Sequence, residues 1–298
     1  MDKRIDVAAF VARRRTAIAE AVRNVQQTQH ITPTFGVILV GENPASLSYI
    51  KGKTKAAAAV GMDTKVFHLA ASVSEADLLA EVARLNAQPS IHGFIVQLPL
   101  PPHIDEGRIF AAIEPTKDID GLHPDNLGRM VLGAPHLLPC TPQGIIALLD
   151  DLHVDLAGKH VVIVGRSNIV GKPVALLALA RDATVTMCHS KTEDLAAYTR
   201  TADVLIVAVG NPQFIDATYV KHGVIVIDVG VNKLADTGKL VGDVDYEAIK
   251  DIAAAITPVP GGVGPLTITM LLENTLKALR LAQDATRAGL VAEEHGEE

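Results

Sequence analysis

Short apolar runs alternate with helical patterns along most of this chain, and that alternation is the strongest constraint on its fold. FGVILVG (35–41), KVFHLA (65–70) and IHGFIVQLPLPP (91–102) read as strands. Around them lie an amphipathic helix over 5–26, a helix over 45–60, and SEADLLAEVARLNA (74–87), where Ser74 and Asp77 resemble a capping box. Strand–helix–strand repetition predicts parallel strands covered by helices. Residues 115–144 break the pattern; they are rich in Pro, Gly and Asp and read as a hinge between two α/β domains. Beyond it the alternation resumes. A short helix is expected over 142–150 with Thr141 as its cap, strands at 160–165, 183–187, 203–209, 224–229 and 253–257, and a closing helix from about 267 to 285.

Composition narrows the class. Of 298 residues, 48% are hydrophobic, so a large core can form, but only 3% are aromatic and tryptophan is absent, so that core is aliphatic. A formal charge of −7 argues against general nucleic-acid binding. Two cysteines, Cys140 and Cys188, make no disulfide framework and point to a reducing compartment. The N-terminal MDKRIDVAAFVARRR lacks the continuous apolar segment of a signal peptide, and no apolar run approaches the roughly 18 residues of a membrane span. The acidic end, AEEHGEE, is expected to fray.

In HVVIVGRSNIVGKPVALLALA (160–180) a strand, a turn and a helix follow one another, with Gly165 closing the strand and Gly171-Lys172-Pro173 opening the helix. A dinucleotide fold places its pyrophosphate at such a helix start. The usual G-x-G-x-x-G is absent, and Ser167 stands where a second glycine would lie, so the turn alone is a weak signal. The second strand is more informative. It ends in TMCHSKT (186–192), where an NAD site would carry a carboxylate for the ribose 2′-hydroxyl. His189, Ser190 and Lys191 lie there instead, with Arg166 on the first turn, and a 2′-phosphate would find donors and positive charge; NADP is therefore favoured over NAD. The next strands end in Gly210-Asn211-Pro212 and Asp228-Val229-Gly230, where small residues admit a ribose or nicotinamide. Asp228 equally suits capping its own turn.

SYIKGKTKAA (48–57) places Tyr49 four residues before Lys53, on one helical face. By itself this reads as a solvated basic face. YIKGK, however, occurs together with VQLPLP (96–101), KDIDG (117–121), GRSNIVGKP (165–173) and TPVPGGVGPLT (257–267), and the set resembles the bifunctional methylenetetrahydrofolate dehydrogenase/methenyltetrahydrofolate cyclohydrolase family from about residue 5 to 285. The resemblance implies two α/β domains flanking a cleft, residues 1–121 with about 267–298 forming the folate-binding catalytic domain and 122–266 a Rossmann-type NADP-binding domain. It implies a cytoplasmic homodimer paired through the nucleotide domain, in one-carbon metabolism that supplies purine biosynthesis, with no metal, nucleic acid or membrane partner.

The same resemblance assigns residues. Lys53 is the implied catalytic lysine, Tyr49 orders the folate, Gln97 holds Lys53, and Asp120 binds the pterin. Pro260, Gly261, Gly262 and Thr267 belong to the folate wall, and Thr141, Gly165, Arg166, Ser167, Ser190, Gly210 and Val231 to the NADP site. DVGVN (228–232) departs from the DVGIN of many relatives only by the methylene missing from Val231. Two other classes share parts of the pattern. Another NADP dehydrogenase would share the nucleotide turn without PVPGGVGP and the Tyr49/Lys53 pair; a noncatalytic folate or nucleotide regulator would not need Lys53, Gln97 and Asp120 together.

Overall fold

A computed structural model describes residues 3–295, with side chains through Arg287. The chain divides into two compact units, 14–138 with 271–298, and 1–13 with 139–270. The division differs from the expected one beyond residue 121, at the N-terminus and at 267–270, which go with the second unit. Residues 122–138 go with the first unit, and the first thirteen residues go with the second.

The first unit contains most of α1 (Val7–Gln29), β1 (Thr34–Val40), α2 (Pro44–Ala59), β2 (Asp63–Leu69), α3 (Glu75–Asn86), β3 (Gly93–Val96), α4 (Glu106–Ala112) and α5 (Pro124–Val131). Its three strands are parallel in the order β2-β1-β3. β1 is buried at every position, as a central parallel strand covered on both faces must be. α3 begins as expected: Ser74 Oγ accepts from Asp77 N at 3.1 Å and donates to Asp77 Oδ2 at 2.7 Å. Its stripe Leu78, Val82, Leu85 packs with Ile38, Phe94 and Ile109 into one aliphatic core.

The second unit contains α6 (Cys140–Asp151), β4 (His160–Val164), α7 (Gly171–Leu179), β5 (Thr184–Cys188), α8 (Leu195–Thr199), β6 (Val204–Val207), β7 (Ile225–Asp228), the short antiparallel pair β8 (Asn232–Lys233) and β9 (Leu240–Val241), α9 (Tyr246–Ile249) and β10 (Ala255–Ile256). α10 (Val263–His295) starts here and continues in the first unit. The main sheet is parallel, in the order β10-β7-β6-β4-β5. That order is the doubly wound arrangement whose switch point lies between β4 and β6. The N-terminal segment extends it: Ile5 N donates to Ile256 O and Ile256 N to Lys3 O, each at 2.9 Å.

Three expectations need correction. The expected hinge contains α5, opened by Pro124 with His123 Nδ1 accepting from Asp125 N at 2.9 Å, so its Pro and Asp residues are helix-start signals as well as turn signals. Thr141 does not cap α6; the helix begins at Cys140, two residues before the expected start, and follows Pro139 without a side-chain cap. β3 stops at Val96, so Gln97 and the prolines after it lie in a loop, with the Leu98–Pro99 peptide cis. Of the acidic tail, 292–295 continue α10 and 296–298 lie outside the described residues.

The loop after α4 is anchored from within. Lys117 Nζ donates to the carbonyls of Leu85 (3.2 Å), Asn86 (2.7 Å) and Gln88 (2.9 Å), satisfying the open end of α3. Asp118 is buried and its Oδ2 accepts from His123 N at 2.7 Å and Asn126 Nδ2 at 3.0 Å. Burial pushes the Asp118 carboxyl up to about 6 from 3.8, the two donors only partly opposing it. The unfolded chain releases this proton near its ordinary value while the folded chain keeps it to about 6, so this site's contribution to stability falls as pH rises through that window. Between pH 4.5 and 7, Asp118→Asn is expected to make the loss of stability about 2 kcal/mol shallower. Urea unfolding of both proteins at the two pH values measures it; parallel pH profiles would refute the assignment.

Candidate active site

In the first unit, α2 places Lys53 against the carboxyl end of β3. Asn43 Oδ1 caps this helix, accepting from Ala45 N at 2.9 Å and Ser46 N at 3.3 Å, and Pro44 fills its first turn. Its buried residues are Ser46, Ile50, Lys53, Ala56 and Ala57, a helical stripe in which the lysine takes a core position. Lys51 and Lys55 are exposed. The solvated-face reading therefore holds for those two and fails for Lys53, whose exposure is 5%.

Burying an ammonium or amine requires a partner. Lys53 Nζ donates to Gln97 Oε1 at 3.0 Å, and Gln97 Nε2 donates to Leu98 O at 2.9 Å, which orients the amide with its oxygen toward the lysine. Ser46 Oγ donates to the same carbonyl at 3.1 Å, tying the start of α2 to this loop. Sequence reasoning did not find Ser46; its position in the Ser46–Ile50–Lys53 stripe was the available signal. Tyr49 is 45% exposed, so its ring is available to a flat ligand beside the buried amine. Asp120 is half-buried at the end of the anchored 117–120 loop, and Asn274 Nδ2 holds the preceding Ile119 carbonyl at 2.9 Å. Among the described residues no hydrogen bond joins Asp120 to Lys53 or Gln97.

The second unit holds the nucleotide-type turn. A β-carbon on Gly165, whose φ is +130°, would collide with the Ala208 carbonyl, and one on Gly171 would collide with the Gly165 carbonyl. The two glycines thus allow the β4 turn, the end of β6 and the start of α7 to close together. Ser167 Oγ accepts from Val170 N at 3.1 Å and Gly171 N at 3.3 Å. Two amides expected to face a pyrophosphate at the start of α7 are therefore already satisfied by this serine.

Strand register brings together the two residues expected to read a 2′-phosphate. Val164 pairs with Cys188, and Arg166 and Ser190 each follow two residues later, leaving the same sheet edge exposed. His189 Nδ1 accepts from Lys191 N at 3.2 Å and Thr192 Oγ1 accepts from His189 N at 2.8 Å, which shapes a turn lacking a carboxylate. These residues fit a 2′-phosphorylated dinucleotide on chemical grounds. Thr141 and Thr267, expected on the nucleotide and folate sides respectively, share an Oγ1–Oγ1 hydrogen bond of 2.8 Å. Pro260 follows a cis peptide bond, Gly261 has φ +94°, and a β-carbon on Gly262 would collide with the Pro258 carbonyl. Gly210 is exposed with φ +67°, and Val231 is half exposed beyond β7. Asp228 is structural: buried, it accepts from the backbone amides of Gly230, Asp243 and Val244.

Known proteins resemble this chain over most of its length. The family pattern described as tetrahydrofolate dehydrogenase/cyclohydrolase, catalytic domain, matches residues 5–120, and the NAD(P)-binding domain of the same family matches 139–283. A protein of Exiguobacterium sibiricum named bifunctional protein FolD is 55% identical over 266 residues, covering 89% of this chain and 95% of the relative. The crystal structure of the bifunctional methylenetetrahydrofolate dehydrogenase/cyclohydrolase FolD from Campylobacter jejuni is 46% identical with a TM-score of 0.91, covering 93% of this chain and 98% of that one. The Trypanosoma brucei enzyme, solved with NADP cofactor and inhibitor, is 39% identical with a TM-score of 0.89, covering 95% and 97%. Both units fall within these matches, and the chain belongs to the tetrahydrofolate dehydrogenase/cyclohydrolase family.

Proposed function

We propose that this chain oxidises 5,10-methylenetetrahydrofolate to the methenyl form with NADP⁺ and hydrolyses the methenyl form to 10-formyltetrahydrofolate, with Lys53 carrying the proton transfers of the second step. The observation that supports this most directly is the buried Lys53 amine held 3.0 Å from Gln97 Oε1. A side chain placed in the core and left with an amide acceptor is organised for chemistry rather than for solubility.

For the first step, NADP⁺ held by the nucleotide-binding unit would supply the acceptor for the hydride of the one-carbon bridge. The protein's part is alignment, since the product cation is stabilised by its two flanking nitrogens. Tyr49 orders the folate ring and Asp120 accepts hydrogen bonds from the pterin amino and ring N–H groups. Pro260, Gly261, Gly262 and Thr267 form the folate wall. Arg166 and Ser190 bind the 2′-phosphate, while Thr141, Gly165, Ser167, Gly210 and Val231 line the rest of the nucleotide site. In the second step water adds to the methenyl carbon and loses a proton. The C–N5 bond then breaks, N5 takes up a proton and a carbonyl forms on N10, with net release of one proton. Lys53 handles these protons, and Gln97 fixes its position.

The chain acts as a homodimer paired through the nucleotide-binding unit and works in the cytoplasm, a compartment in keeping with Cys140 and Cys188, both buried and in no disulfide. No described helix is long and apolar enough to cross a membrane. Sedimentation at a monomer mass would refute the dimer.

Lys53→Met keeps much of the side-chain length but removes the amine. Cyclohydrolase turnover is expected to fall by about 10²-fold or more, the usual worth of positioned proton transfer, while dehydrogenase turnover remains measurable. Methenyl absorbance should then accumulate during the forward reaction. Wild-type-like hydrolysis by this variant would eliminate the proton-transfer role.

Arg166→Ala should raise KM for NADP⁺ far more than for NAD⁺, since a lost charge-assisted phosphate contact is worth about 1.5–3 kcal/mol. Equal effects on both nucleotides would show that Arg166 does not read the 2′-phosphate.

Asp120→Ala should weaken folate binding and leave the NADP⁺ dissociation constant unchanged. Calorimetric titration of each ligand tests the pair of outcomes, and unchanged folate affinity would make Asp120 a turn residue.

A further inference from the structure

The buried Asp243 carboxylate lies beneath the turns that carry Gly210 and Val231. Its Oδ2 accepts from Val209 N at 2.7 Å and Gly210 N at 3.0 Å, and its Oδ1 accepts from Asn211 N at 2.9 Å and Asn232 Nδ2 at 2.8 Å. Asp243 is 0% exposed. Three consecutive amides converging on one anion, with the central glycine at φ +67°, form the kind of concave nest that elsewhere holds phosphate. Here the protein fills the nest with its own side chain. The Val209–Asn211 turn thus has no amide left for a ligand's phosphate, and its contribution to a nucleotide site is the position of its surface.

A second carboxylate supports the first. Asp228 Oδ1 accepts from Asp243 N at 2.9 Å and Gly230 N at 3.0 Å, Oδ2 accepts from Val244 N at 3.0 Å, and Asp228 N donates to Thr257 Oγ1 at 2.8 Å. Burial raises the Asp228 carboxyl to about 7, the amides of Asp243 and Val244 pulling against it and the neighbouring Asp243 carboxylate adding to it. Both carboxylates sit so close to backbone that a β-carbon at Gly230 would collide with Asp243 and one at Gly242 with Asp228. The relay runs from Thr257, at the start of the 257–262 loop, through Asp228 to Asp243 and the two cofactor-facing turns.

We propose that Asp243 is a positioning residue for the nucleotide site, holding the Val209–Asn211 turn and the Asn232 loop so that Gly210 and Val231 meet NADP. The assignment rests on the cofactor reading given above. It predicts a separation that a purely structural role would not produce. Hydrolysis of the methenyl substrate needs no nucleotide and its proposed proton carrier, Lys53, lies in the other unit, so its kcat serves as the internal control.

The test is the NADP⁺ dissociation constant, by calorimetry, beside the nucleotide-free cyclohydrolase kcat, in full-length wild type, Asp243→Asn and Asn232→Ala. Asparagine keeps the shape but turns an N–H₂ toward N–H donors. Its NADP⁺ dissociation constant should rise about tenfold or more, the factor equivalent to about 1.4 kcal/mol. Cyclohydrolase kcat per folded molecule should stay within about twofold of wild type, a change near the size of RT in energy. Asn232→Ala removes one donor of the four and should shift NADP⁺ affinity in the same direction by less. Unchanged NADP⁺ affinity in folded Asp243→Asn, or equal losses in nucleotide binding and cyclohydrolase activity, overturns the proposal. If Asp243→Asn does not fold, Asn232→Ala decides, and unchanged affinity there overturns it. Wild type run in parallel separates the two readings: failure of wild type to bind NADP⁺ overturns the cofactor reading and this assignment with it.

Discussion

Parallel strands end in loops whose amides have no strand left to pair with, and this protein satisfies many of them with buried carboxylates. Asp118 does so in the first unit, holding His123 N and Asn126 Nδ2 beside the loop that ends in Asp120. Asp228 and Asp243 do so in the second, taking six backbone amides between them. An unpaired buried amide is costly, and so is an unpaired buried carboxylate; placed together each removes the other's penalty. The result is a set of loops that stay ordered at the carboxyl ends of the strands, where ligands of α/β folds bind.

The candidate catalytic residues use the same logic with a different sign. Lys53 occupies a core position of an otherwise apolar stripe, and the amide of Gln97 is its acceptor. Gln97 is itself oriented by the Leu98 carbonyl, which Ser46 also binds. Lys53 Nζ therefore has an amide oxygen rather than a carboxylate as its partner, and that amide is fixed in turn by a backbone carbonyl. The KDIDG loop divides in a similar way: Lys117 and Asp118 hold the backbone, and Asp120 is left half-buried at its end.

Much of this was legible in the sequence. Apolar runs bounded by turn residues located the strands of the two main sheets: central strands such as β1 and β6 are buried at every position and must be apolar throughout, and the more exposed β2 still carries Val66, Phe67 and Leu69. The Ser74–Asp77 box marked the start of α3, and the missing carboxylate after β5 pointed to a 2′-phosphate. α4, α5, α8, α9 and the β8–β9 pair were not found. They are short, and in α5 the helix-start residues Pro124 and Asp125 resemble turn residues. Thr141 looked like a helix cap but bonds to Thr267, a partner 126 residues away that no local pattern reveals.

Local chemistry alone determined the strands of the two main sheets and the longer helices, that the strands run parallel, and that Tyr49 and Lys53 share a helical face, since these follow from periodicity and the connection lengths between strands. The tertiary structure decided which of the lysines on that helix is buried, which acidic residues are structural, and that Asp243 rather than a ligand fills the Val209–Asn211 nest. Those outcomes depend on pairs such as Lys53 with Gln97 and Asp243 with Gly210, far apart in sequence and adjacent only after the sheets form. A side chain's charge is written in the sequence, but whether water or a folded partner satisfies it depends on what the rest of the chain places beside it.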